Sequence, residues 1–129
     1  MKKIFFALVF FTFLIGCFFT LTWHTIQRNS GNNVSISINE SEDRYKLYAS
    51  YNKRKTRKIQ RYLDSELNSH LFSSARINAT VTLDDQTNFY IKANPGILLI
   101  KLNKSENSLE SYYRIKELGE GIKRKLAEN

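Results

Sequence analysis

The side chains with the most chemistry to offer in this sequence are cationic. Lys53 to Arg61 reads KRKTRKIQR, six basic residues and no acid. Clustered cations gain counterion release when they meet phosphate-rich lipid headgroups, lipopolysaccharide or nucleic acid. The candidate anion-binding residues are therefore Lys53, Arg54, Arg57, Lys58 and Arg61. Basic groups in the first turn of a helix oppose its dipole, so this run is not there to stabilise the helix that carries it. Groups that titrate or attack near neutral pH are few. His24 and His70 are far apart and have neither a partner at HxxxH spacing nor paired cysteines, so no metal site is expected. Asp84 and Asp85 could serve a small hydrolase together with His70. Their favoured reading is a hairpin turn, because Asp suits turn geometry. No GxSxG, Walker loop, GxGxxG or EF-hand is present. The sequence assigns no catalytic residue and no cofactor.

The elements that must position these groups divide the 129 residues unevenly. Ile4 to Trp23 is a twenty-residue stretch without a charge, preceded by Lys2 and Lys3. As a helix it would be about 30 Å long, the thickness of a bilayer's hydrocarbon core. Lys2 and Lys3 on one flank and only Arg28 on the other predict the N-terminus inside and the rest translocated. Trp23 and His24 would then lie at the outer interface.

Leu14, Ile15, Gly16 and Cys17, behind a positive start and an apolar run, resemble the lipobox of bacterial lipoproteins. The resemblance covers the first 17 residues. It implies cleavage before Cys17, lipidation of its thiol and anchoring by acyl chains. After Cys17 the chain departs from that family, with Phe18, Phe19, Leu21 and Trp23 where small polar residues are usual. The residues alone also allow an uncleaved membrane helix, with Cys17 a small apolar member, or an ordinary cleaved signal. Each alternative puts the folded part at or beyond a membrane. No family resemblance is found for that folded part.

Residues 1–24 are thus read as anchor or signal, 25–33 as a polar linker and 34–129 as one α+β domain. A single Cys excludes an intramolecular disulfide. Val34, Ile36 and Ile38 alternate with serines, and Tyr45, Leu47 and Ala49 alternate with Lys46 and Tyr48, which predicts a hairpin. From about Lys53 to Ser69 the apolar spacing changes to three and four, a helix burying one face with Ile59, Tyr62, Leu63 and Leu67. Three more strands follow, the last two joined by Asn94-Pro95-Gly96 in a type II turn. The last of them, Ile97 to Leu102, is apolar on both faces and should be central. Asn107 with Glu110 resembles a capping box ahead of a final helix through Tyr112, Ile115, Leu118, Ile122 and Leu126. Gly119 and Gly121 in that helix are read as close packing on the sheet or an early helix end. The resulting order is β-β-α-β-β-β-α, a five-stranded mostly antiparallel sheet with two helices on one face.

Tyr48 and Tyr90 fall on the face away from the core and are the candidate protein-interface residues. Setting aside Lys2, Lys3 and Arg28 from the 20 basic residues leaves 17 against 12 acidic ones, a net of +5 for the remainder. The function expected is a membrane-anchored bacterial envelope protein with a small non-catalytic binding domain. Its partner would be another envelope protein or an anionic surface. The alternative is a cytoplasm-facing anchored domain that uses residues 53–61 on anionic lipid or nucleic acid. Nucleic acid is disfavoured because the expected orientation points outward and no RNA-binding aromatic motif accompanies the charges.

Overall fold

A computed structural model describes residues 33–73 and 76–128. The expectations placed on the apolar segment, on Cys17 and on His24 lie outside the described residues. Alternation of apolar and polar side chains produces five strands, labelled here β1 (Ser35–Glu40), β2 (Arg44–Ser50), β3 (Ile77–Thr82), β4 (Asn88–Asn94) and β5 (Ile97–Asn103). Two helices, α1 (Thr56–Glu66) and α2 (Leu109–Ala127), follow β2 and β5. The strands lie in the order β1-β2-β5-β4-β3, and every neighbouring pair is antiparallel.

The period-two pattern decides which face is covered. Tyr45 and Leu47 of β2, Phe89 and Ile91 of β4, and Leu98, Ile100 and Leu102 of β5 are all buried on one face. Ile59 and Leu63 of α1 and Ile115, Leu118, Ile122 and Leu126 of α2 complete the same cluster. Both helices therefore lie over that face. β5 is central, as its double-sided apolar run requires, with Leu98 and Ile100 buried and Ile97 and Leu99 half-buried on the other face.

Two local elements differ from the expectation. The helix expected from Lys53 to Ser69 starts as a 3-10 turn over Lys53–Lys55 and is α-helical only over Thr56–Glu66. The Asn52 side chain accepts from the Arg54 N–H at 3.0 Å and sets that entry. At the far end Asn68 takes a positive φ of 47° and stops the helix. The second difference is the cap of α2. Ser108 is the N-cap and accepts from the Ser111 N–H at 3.1 Å. The Asn107 side chain is used elsewhere: its Oδ1 accepts from the Asn88 N–H at 2.8 Å, and its Nδ2 donates to the Asn88 and Asn103 carbonyls.

Glycines fix two close approaches. Gly96 has φ +79°, and a Cβ there would meet the Tyr51 carbonyl oxygen at 2.8 Å, so the Pro95-Gly96 turn needs Gly on both counts. Gly119 and Gly121 lie in a helix that runs on to Ala127, and their missing side chains make room for Tyr45 and Tyr62 respectively.

Candidate functional site

The first helix is strongly two-sided. Ile59 and Leu63 point into the core, while Arg54, Arg57 and Arg61 are exposed. Where α1 meets α2, the Tyr62 ring fits over Gly121. Tyr62 also lines an open groove of about 540 Å³. Arg54, Arg57, Lys58 and Arg61 line one side with Tyr62 and Ser65, and Lys125 of α2 lines the other. Burial, foremost, pushes the Tyr62 phenol above its usual range, so a neutral hydroxyl faces the cations.

Lys53 is exposed in the 3-10 turn and does not line the groove, and the other five cations of the 53–61 run divide into two sets. Lys55 Nζ donates to the carbonyls of Leu126 at 2.8 Å and Glu128 at 3.0 Å, satisfying the exposed end of α2. Lys58 Nζ pairs with Glu128 at 2.9 Å, and Lys125 Nζ reaches the same carboxylate at 3.6 Å. That hydrogen bond from Lys58 is the main reason the Glu128 carboxyl is held below its usual range. The guanidinium groups of Arg54, Arg57 and Arg61, by contrast, have no hydrogen bond or ion pair among the described residues. Arg57 and Arg61 are four apart, so they repel on the helix surface. α1 also has no acid in its first turn to offset them.

The same end of the molecule gathers several chain segments. Ser35 at the start of β1 is paired with Ser50 at the end of β2. The Tyr51 N–H then donates to the Gly96 carbonyl at 2.9 Å, and the Gly96 N–H donates to Thr56 Oγ1 at 3.0 Å. The point where the chain enters the sheet, the 93–97 turn, the start of α1 and the end of α2 are therefore neighbours.

The histidine and the aspartates are not linked in this way. His70 is exposed after α1, ahead of β3, whereas Asp84 and Asp85 follow the other end of that strand. Among the described residues no hydrogen bond or ion pair joins His70 to either aspartate. Asp85 is engaged in the turn: its Oδ1 accepts from the Thr87 N–H at 3.1 Å and its Oδ2 pairs with Arg114 at 2.6 Å. Hydrogen bonding from Thr87, foremost, and from Arg114 holds the Asp85 carboxyl down at about 2. Among the described residues no three His, Cys, Asp or Glu side chains are grouped so as to hold a metal ion.

Tyr48 and Tyr90 are both on the uncovered sheet face. Tyr48 is 38% exposed. Tyr90 is half-buried; its hydroxyl donates to Asn78 Oδ1 at 2.7 Å, and Lys101 Nζ lies 5.6 Å from its ring centroid. Two features went unread in the sequence: Lys125 as a wall of the groove, and Arg44, Lys46, Lys92 and Lys101 as neighbours on the uncovered face. The strand alternation carried the signal for the second, but only the pairing register brings the four together.

Among the described residues no helix is long and apolar enough to cross a membrane. Compared with protein-family models, curated proteins and solved structures, the chain matches none.

Proposed function

We propose that this protein is a bacterial envelope component, held at the membrane by residues 1–24, whose folded domain docks on phosphate-bearing headgroups through the α1 groove. The observation that carries this reading is the set of three unpaired guanidiniums, Arg54, Arg57 and Arg61, beside Tyr62 and Ser65. They weaken their own helix, so a stabilising role does not account for them. Guanidinium is also the cation whose planar fork matches two phosphate oxygens.

Position supports the same reading. The chain enters the domain at Ser35, at the end of the sheet where the basic turn 53–55 begins. In this reading nine linker residues, 25–33, separate the bilayer from that end, a span of roughly 30 Å at full extension. The groove is therefore within reach of the surface that anchors it.

The test titrates the full chain, held in neutral detergent micelles, with inorganic polyphosphate. Wild type should bind with an affinity that falls as salt rises. The combined change Arg54→Gln, Arg57→Gln and Arg61→Gln should make the log–log salt slope shallower by roughly one for each lost phosphate contact. An unchanged slope would remove the groove from the account.

A further inference from the structure

The uncovered face of the sheet carries a second, separate pattern of charge. The register sets Lys46 beside Lys101 and places Lys101 beside Tyr90 on the next strand. One row further along, Tyr48 is beside Leu99 and Leu99 beside Lys92. Arg44 lies on the same face at the β2 entrance. No strand position of this face holds an Asp or Glu, although the described residues include many elsewhere. None of these four cations has an ion pair among the described residues. The face is thus an apolar strip, Tyr48 and Leu99, framed by lysines.

We propose that this face docks an acidic protein segment, one that presents an apolar side chain to Tyr48 and Leu99 and carboxylates to Lys46, Lys92 and Lys101. Charge complementarity selects the partner's sign, since a face without a single carboxylate repels basic partners and attracts acidic ones. The aromatic content then selects protein over nucleic acid. A single strand is held by bases stacked on successive open rings. Here Tyr90 already holds Asn78 and lies under Lys101, and only Tyr48 presents an exposed ring. An apolar anchor flanked by carboxylates fits this arrangement, because Tyr and Leu bury its area while the lysines stay at the polar rim. The inference does not rest on the groove, which lies on the opposite, helix-covered side.

The experiment uses the full chain in neutral micelles, already carrying Arg54→Gln, Arg57→Gln and Arg61→Gln so that the groove takes no part. The probe is a labelled random copolymer of glutamate and tyrosine, read by fluorescence anisotropy, with polyglutamate and oligothymidylate as comparators. The copolymer should bind at least tenfold more tightly than either comparator. Adding Lys46→Gln, Lys92→Gln and Lys101→Gln should weaken it at least tenfold, and adding Tyr48→Ser alone at least threefold. All four positions are exposed, so folding is not at stake. Affinity untouched by both changes would overturn the proposal. So would tighter binding of oligothymidylate than of the copolymer, which would make the face a nucleic-acid surface.

Discussion

The α1 groove and the uncovered sheet face are both cationic, yet they are built by opposite routes. Four of the five cations that line the first belong to residues 54–61, on one helix and its leading turn. Those of the second come from β2, β4 and β5 and become neighbours only through the strand order β1-β2-β5-β4-β3. The chemistry differs as well. The groove offers guanidinium forks, suited to phosphate, and one of its lysines, Lys58, is paired with Glu128, which takes up part of the charge. The sheet face offers ammonium groups around an apolar strip and has no acid at any strand position. Equal sign of charge therefore does not mean a common partner.

A contrast within the 53–61 run sharpens this. If Lys55 and the arginines have different work, their removal must have different consequences. Filling Gly121 tests the Tyr62 contact beside the arginines and has the largest expected effect on stability. In Gly121→Ala the new methyl would collide with the Tyr62 hydroxyl. Overpacking of this kind costs about 1–3 kcal/mol, and since Tyr62 lines the groove, polyphosphate affinity should fall while copolymer binding to the sheet face stays. Chemical denaturation together with the two titrations reads both effects.

Lys55→Met comes next. It removes the donor to the Leu126 and Glu128 carbonyls, a charge-assisted contact of about 1 kcal/mol at a half-exposed site. Arg57→Met should change stability by less than about 0.5 kcal/mol, in the stabilising direction, because an unpaired cation leaves the wrong end of a helix dipole. Equal destabilisation by the two would break the division between committed and free cations.

The legibility of the molecule follows the same divide. Strand alternation at Tyr45, Leu47 and Ala49 and the Pro95-Gly96 turn exposed the sheet, and the spacing of Ile59, Leu63 and Leu67 exposed α1. The stretch at Ile97 to Ile100 identified the central strand, because a strand flanked on both sides keeps its second-face positions half-buried, here with Ile97 and Leu99 in place of polar residues. What local pattern could not supply was competition among partners. Asn107 has the composition of a cap, but the Asn88 backbone claims its side chain, and Ser108 caps instead. Lys55 and Lys58 are indistinguishable from Arg54 and Arg57 in the sequence; they differ only because the end of α2, many residues away, lies beside them. Alternation puts the uncovered-face cations on one side of their strands, but only the register makes them neighbours.

The most direct test of the docking account is hydrogen exchange of the full chain in nanodiscs, comparing neutral lipid with a mixture containing anionic phospholipid. With about 1 kcal/mol gained per basic residue at an anionic surface, the three arginines contribute about 3 kcal/mol, or roughly 150-fold in the docked population. The account predicts slower exchange across residues 53–66 in anionic discs only. That protection should disappear at high salt and with Arg54→Gln, Arg57→Gln and Arg61→Gln combined, while β2 and β5 exchange equally in both discs. Identical exchange of 53–66 in neutral and anionic discs would contradict it.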